Sequence, residues 1–273
     1  MLLRRITEHV KAQNWFAVGL DFIIVVVGVF IGIQVANWND ARATRMSERD
    51  FLVRLHGDIV ELQERRAYYD RGRPFDMKVY EIITDFLTEE IDDLSEAEKL
   101  HHGFYPGIEN VKGLDAALIC NAIDWTAALT APPTALPTAT ELVSAGRMND
   151  IASPVIKAAL QSYLQQTDRM NDLIIAMEKF SIHLSDRFPD LFEIRRKDWG
   201  IEFDIGVGPD DYRCDYEAMR QDGAFMNAFA VNVSNYSTYT IRGIMPVSEK
   251  LGALHNAVDL ELGVSHSTDR EDN

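Results

Sequence analysis

The hydrophobic pattern of the chain begins with one long apolar run, residues 16–36, in which Asp21 is the only charged side chain. Twenty-one helical residues at about 1.5 Å each measure about 31 Å, which matches the roughly 30 Å hydrocarbon core of a bilayer. Trp15 and Trp38 lie at the two ends, where indole rings favour the headgroup region. The pattern therefore predicts a transmembrane helix over residues 16–38, with Trp15 and Trp38 as interfacial anchors.

Beyond the span, apolar residues recur every three or four positions, which is the spacing of amphipathic helices. The first amphipathic segment covers residues 40–72, and Gly72 and Pro74 are predicted to end it. The longest runs from Pro154 to about Phe188. The apolar positions of the first segment are Leu52, Leu55, Ile59, Leu62 and Tyr69. Those of the longest segment are Ile156, Leu160, Tyr163, Met170, Ile174, Met177 and Leu184.

Strand patterning is confined to residues 189–215, where Ile201, Phe203, Ile205 and Val207 alternate with other residues. This stretch predicts one short strand or an extended loop. The predicted fold is therefore all-α: an N-terminal transmembrane helix continuing into an amphipathic helix and an antiparallel helical bundle.

The domain organisation follows from these segments. We predict a cytoplasmic tail over 1–15, the transmembrane helix over 16–38, a helical domain over 39–263 and a disordered polar tail over 264–273. A cleaved signal peptide is disfavoured, because the apolar run is longer than a signal-peptide core and polar residues crowd the small-residue site at 41–43.

Charge is spread unevenly along the 273 residues, whose net charge is −16. Residues 74–273 alone carry −18, so the domain is acidic and lacks the basic footprint that nucleic-acid binding needs. The lipid bilayer is the predicted partner. Basic residues flank the span on both sides, so the positive-inside rule does not orient it. Because a short N-terminal tail usually stays in the cytoplasm, we expect a single-pass membrane protein whose acidic domain is exported.

The two cysteines, Cys120 and Cys214, are far apart in sequence and lie in no metal-binding spacing. A single bridge would form only in an oxidising compartment. We favour two unpaired, buried thiols as the interpretation of the sequence alone.

The span carries one stripe of small and polar residues. On a helical wheel Asp21, Gly28, Gly32 and Val35 fall within about 60° of one another, and Ala36 extends the small-residue spacing. Small residues four apart let two membrane helices approach closely. The stripe predicts self-association or contact with another membrane protein, and Asp21 at this depth needs water or a partner.

Candidate chemistry is sparse. His101 and His102 are adjacent, but neither is followed by an acidic residue at the i+3 or i+4 position that a helical metal site would want. The acidic residues Asp204, Asp210, Asp211, Asp215 and Glu217 lack the register of a calcium loop. No phosphate loop, nucleophile elbow or zinc-protease motif occurs. We therefore predict no enzyme activity, no metal site and no cofactor.

The span contains an acidic residue at Asp21, a Val25-Val26-x-Gly28 core and a closing Gln34-x-x-x-Trp38-Asn39. This pattern resembles the signature of a bacterial family of single-span membrane proteins of unknown function. A weaker likeness continues in Phe51-Leu52-x-x-Leu55-x-x-Asp58-Ile59 and in Glu141-Leu142-x-Ser144-x-Gly146-x-x-Asn149-x-Ile151. The resemblance implies an all-α fold and a location in the bacterial inner membrane, with the C-terminal domain in the periplasm. It implies no activity.

These observations predict a non-enzymatic sensing, scaffolding or interaction protein of the bacterial envelope, whose stripe and heptads pair chains in parallel. Two alternatives stay open. One is an accessory subunit of a transporter or envelope complex, in which Asp21 and Gly28 face another span. The other is a membrane-bound, metal-dependent hydrolase that uses His101, His102 and the acidic loop.

Overall fold

A computed structural model describes residues 15–104, 114–194 and 212–264. The described chain is all-α apart from one two-stranded sheet, as the sequence predicts. It divides into two compact units, Met1–Val53 and Arg54–Asn273. The predicted cytoplasmic and C-terminal tails lie almost entirely outside the described residues, so both stay predictions.

Helix α1, Trp15–Leu87, contains the whole predicted transmembrane segment. Among the described residues it is the one helix long and apolar enough to cross a membrane, and none of its apolar window is buried. Its later part contributes Leu55, Ile59 and Leu62 to the core of the second unit, where each is at most 2% exposed. This amphipathic face is thus covered by the chain itself.

The prediction that Gly72 and Pro74 end this helix is wrong. Pro74 lies inside α1, which continues for thirteen more residues. A proline there removes one helical hydrogen bond and costs about 3 kcal/mol. The side chains of Arg73 and Asp76, on either side of it, both bond the hydroxyl of Tyr236. Because Tyr236 bonds residues on both sides of Pro74, the helix continues through the proline.

The other helices, in chain order, are α2 (Ser95–Phe104), α3 (Leu114–Asp124), α4 (Pro137–Ser144), α5 (Pro154–Glu178), α6 (Leu184–Arg187), α7 (Tyr216–Gln221), α8 (Gly223–Thr238) and α9 (Met245–Leu262). A π-helical turn, Tyr239–Ile244, joins α8 to α9. Short 3₁₀ turns occur at Trp125–Ala127, Met148–Asp150 and Pro189–Leu191.

Helix α5 begins at Pro154 as predicted, and Ser153 caps it by accepting a hydrogen bond from the amide of Ile156. It ends at Glu178, ten residues before the predicted end. Beyond it, the buried side chain of Asn232 bonds both the amide and the carbonyl of Ile182, at 2.9 and 2.7 Å. These bonds replace helical ones, so the backbone leaves the helix there.

The core of the second unit lies between α5, the π-helical turn and α9. Ile156, Leu160, Tyr163 and Met170 of α5 are fully buried, as are Val247, Leu251, Leu254 and Val258 of α9. The long heptad pattern of α5 therefore packs within the chain. The buried positions of the patterns of α5 and α1 are thus covered by the chain itself, and pairing of two chains along them stays a prediction.

The sheet has two short antiparallel strands, β1 (Phe192–Ile194) and β2 (Tyr212–Cys214), with Phe192 opposite Cys214. The predicted strand around Ile201–Val207 lies outside the described residues.

A disulfide joins Cys120 of α3 to Cys214 of β2. The prediction of two unpaired thiols is wrong, because the fold brings residues 94 positions apart to a Cα separation of 5.6 Å, within the range that a bridge requires. Helix α3 and strand β2 are thereby joined across the long intervening sequence.

Replacing both cysteines by alanine is expected to lower the free energy of unfolding by about 2 to 5 kcal/mol, because the bridge restricts a long loop of the unfolded chain. Chemical denaturation of the full chain with and without reductant measures this loss. Reductant should lower the stability of the parent and leave the double variant unchanged. Maleimide labelling of two thiols in the unreduced, unfolded parent would contradict the bridge.

Candidate functional site

The stripe of the span lies along the exposed part of α1. A Cβ atom added at Gly28 or Gly32 meets no atom within 4 Å, and Val35 and Ala36 are exposed. Nothing in the described chain covers these residues, so pairing through them stays a prediction. The side chains of Asp21 and Trp15 lie outside the described residues.

The second predicted anchor, Trp38, is 60% exposed. The guanidinium of Arg42 lies 5.9 Å from the centre of its ring, within the range of a cation–π contact. An indole with a cation one turn further along is an arrangement suited to the headgroup region.

Most of the side chains considered for a metal site lie outside the described part of the chain, so that site stays untested. His101 and His102 belong to α2, but their side chains lie outside the described residues, as do Asp204, Asp210 and Asp211. Asp215 caps α7 by accepting a hydrogen bond from the amide of Ala218. A local structural role accounts for this carboxylate.

A different cluster joins α1 to α9. It consists of His56, in the first turn of the second unit, and of His255 and Asp259, one turn apart on α9. Each follows a fully buried residue, namely Leu55, Leu254 and Val258. The packing of these apolar neighbours places the three polar side chains together at the edge of the helix contact, where they are 14–19% exposed.

The geometry of the cluster is compact. His56 Nε2 lies 3.0 Å from Asp259 Oδ1 and 3.3 Å from His255 Nε2, and His255 Nε2 lies 3.5 Å from Asp259 Oδ1. The two rings are tilted by 53° with centroids 5.1 Å apart. Three atoms that can each bind a metal ion thus lie within 3.5 Å of one another.

Sequence reasoning missed this cluster. The spacing His255-x-x-x-Asp259 places both side chains on one face of a helix and is visible in the sequence. His56 is 199 residues away, so only the tertiary structure brings it to the pair.

A buried arginine lies on the same helix as His56. Arg66 is completely buried and donates to the carbonyl of Pro133 at 2.9 Å, to the hydroxyl of Ser248 at 2.8 Å and to the carbonyl of Ile244 at 3.4 Å. Ser248 in turn donates to Asp70 at 2.6 Å. Burial lowers the pKa of Arg66, and the charge of Asp70 opposes that shift. Arg66 thereby joins α1 to α9 and to the proline-rich segment, residues 131–137, which leads into α4.

A second polar group lies one heptad further along α1. Arg73 donates to the hydroxyl of Tyr236 at 2.8 Å and to that of Thr130, and Tyr236 donates to Asp76 at 2.5 Å. Burial, followed by the charge of Asp76, raises the pKa of Tyr236. The phenol therefore stays protonated and can act as a donor to the carboxylate.

The two weaker segments of the resemblance meet in the second unit. Asp58 accepts a hydrogen bond from the amide of Thr138 at 2.7 Å, at the start of α4. Arg54 pairs with Glu141 at 3.1 Å. After α4, Gly146 has a φ of +68°, a backbone conformation that favours glycine. These residues fix the start and the end of a short helix against α1.

No family model, curated protein or solved structure matches the chain. The likeness to a bacterial single-span family therefore stays a prediction.

Replacing Arg66 by methionine is expected to lower the free energy of unfolding by about 2 to 5 kcal/mol, because the carbonyl of Pro133 and the hydroxyl of Ser248 lose a buried partner. The neighbouring Arg65 is the matched control, since its side chain is 60% exposed and 3.9 Å from Glu61. Arg65→Met should change the stability by no more than about 0.5 kcal/mol. Urea unfolding measures both, and equal small losses would contradict the role of Arg66.

Proposed function

We propose that the chain is a single-span protein of the bacterial inner membrane whose second unit is exported and acts as a non-enzymatic sensing or scaffolding domain. The observation that carries the proposal is the Cys120–Cys214 bridge, because structural disulfides persist in oxidising compartments and are rare in the cytosol. The exposed apolar part of α1 supplies the membrane anchor.

The polar side chains gathered in the second unit support a structural role. Arg66 bonds the carbonyls of Pro133 and Ile244, and Asp124 accepts hydrogen bonds from both the amide and the hydroxyl of Ser185. Asn232 bonds the backbone of Ile182 after α5. Each of these side chains bonds backbone and thereby fixes the shape of the domain.

Self-association belongs to the span in this proposal. The amphipathic faces of α1 and α5 are buried in the second unit, whereas the surface around Gly28 and Gly32 is uncovered. Close backbone approach at small residues supplies the packing that lipid does not. We therefore place pairing of two chains in the bilayer and not along the heptads.

The orientation is tested by labelling introduced cysteines in intact cells with a membrane-impermeant maleimide. Leu260, which is 84% exposed, is a suitable position in the second unit, and Ala12 is the matched position before the span. Leu260→Cys is expected to react in intact cells and Ala12→Cys only after lysis. The opposite labelling pattern would contradict export.

Pairing is tested by Gly28→Ile combined with Gly32→Ile. These side chains prevent close approach of a second helix at the two glycines while keeping the span apolar. Assembly of the full chain in membranes is expected to be lost, with the melting temperature of the second unit unchanged. The control is Val26→Ile with Phe30→Ile, two isoleucines on the opposite side of the helix. If the double glycine variant assembles as well as the parent, pairing through the stripe is contradicted.

Crosslinking from Gly28→Cys distinguishes self-pairing from an accessory-subunit role. The native cysteines are bonded to each other, so only the introduced thiol reacts. Self-pairing predicts a dimer of this chain. A stoichiometric adduct with a different membrane protein would instead support the accessory subunit.

A further inference from the structure

We propose that His56, His255 and Asp259 bind one zinc ion, which joins the start of the second unit on α1 to the end of α9. This inference goes beyond the proposed envelope function and does not depend on the orientation of the chain. It replaces the histidine pair of α2 as the candidate metal site.

The separations of the three atoms fit tetrahedral zinc. Zinc binds imidazole nitrogen and carboxylate oxygen at about 2.0 to 2.2 Å, so two ligand atoms of a tetrahedron lie about 3.3 to 3.6 Å apart. The observed separations are 3.0, 3.3 and 3.5 Å. A circle through the three atoms has a radius of about 1.9 Å, so an ion slightly out of their plane reaches all three at bonding distance.

Hydrogen bonds among the three side chains account for their close approach less well than a bound cation does. The Nε2 atom of a neutral imidazole either carries one proton or accepts one, and an ionised carboxylate only accepts. At most two of the three mutual contacts can therefore be hydrogen bonds at the same time. A cation contacts all three lone pairs together.

The ligand types select the metal. Calcium and magnesium prefer oxygen ligands, whereas two imidazoles and one carboxylate suit zinc and its neighbours among the transition metals. An octahedral ion with bonds near 2.1 Å would bring adjacent ligands to about 3.0 Å, shorter than two of the three separations observed here.

The surroundings favour a cation. Asp259 lies in the last turn of α9, where unpaired carbonyls give the helix end a partial negative charge. Gly263 closes that end with a φ of +69°, and its amide bonds the carbonyl of Asp259. The cluster stays 14–19% exposed, so a water molecule can supply the fourth ligand.

The experiment uses the full-length chain in detergent, purified without a polyhistidine tag, stripped of metal and titrated with zinc sulfate. One zinc per chain is expected, and zinc at about a hundredfold above Kd should raise the melting temperature by about 5 to 10 °C. His56→Gln and Asp259→Asn should each weaken zinc binding at least about tenfold, since each removes a ligand. The matched control, His101→Ala with His102→Ala, should bind zinc as the parent does.

The proposal is overturned if the parent retains no zinc and does not melt higher with it, or if both ligand variants bind zinc as tightly as the parent. Loss of zinc binding in the control variant would indicate that the metal site lies on α2, and it would overturn the proposal as well. Uptake of ferrous iron in preference to zinc would overturn the identity of the metal.

A measurement on the parent alone covers the case in which the ligand variants do not fold. X-ray absorption at the zinc edge is expected to show scattering from two imidazoles in a four-coordinate shell. A spectrum without imidazole scattering, or with six oxygen ligands, would overturn the proposal.

Discussion

The buried guanidinium of Arg66 is the constraint on which the second unit depends. A cation taken out of water must be matched by hydrogen bonds, because an unmatched one costs several kcal/mol. Its partners come from the proline-rich segment, the π-helical turn and α9, at sequence separations of 67, 178 and 182 residues. The bonds of the two terminal nitrogens of this side chain thus fix where three elements meet α1. They offset the cost of burying a residue type that is almost always found at the surface.

The irregular backbone around Arg66 is satisfied in the same way. The extended segment before α4 forms no helical bonds, and its carbonyls accept from Tyr163 at Thr134 and from Tyr239 at Thr130. In the π-helical turn, the carbonyl of Arg242 accepts a hydrogen bond from the side chain of Gln166 at 3.5 Å. In the domain core, side chains of the packed helices therefore donate hydrogen bonds to carbonyls of the segments between helices. These bonds give those segments a defined position.

The sequence predicts what local periodicity determines. The apolar run of the span, the amphipathic face at Leu55, Ile59 and Leu62, and the start of α5 at Pro154 all follow from spacing and end signals. Features set by distant residues were not predictable in this way. The Cys120–Cys214 bridge and the approach of His56 to His255 depend on tertiary contacts. Pro74 is a local breaker that long-range bonds of Arg73 and Asp76 override.

Helix α1 continues without a break through Pro74 and packs into the second unit on both sides of it. Native-state hydrogen exchange of the full chain, followed residue by residue in α1, measures this continuity. A continuous helix is expected to let the amides of residues 57–66 and of residues 78–86 exchange through the same opening, with the same free energy and the same dependence on denaturant. Exchange of residues 78–86 at a clearly lower free energy would show instead that the helix after the proline is a separate, weaker unit.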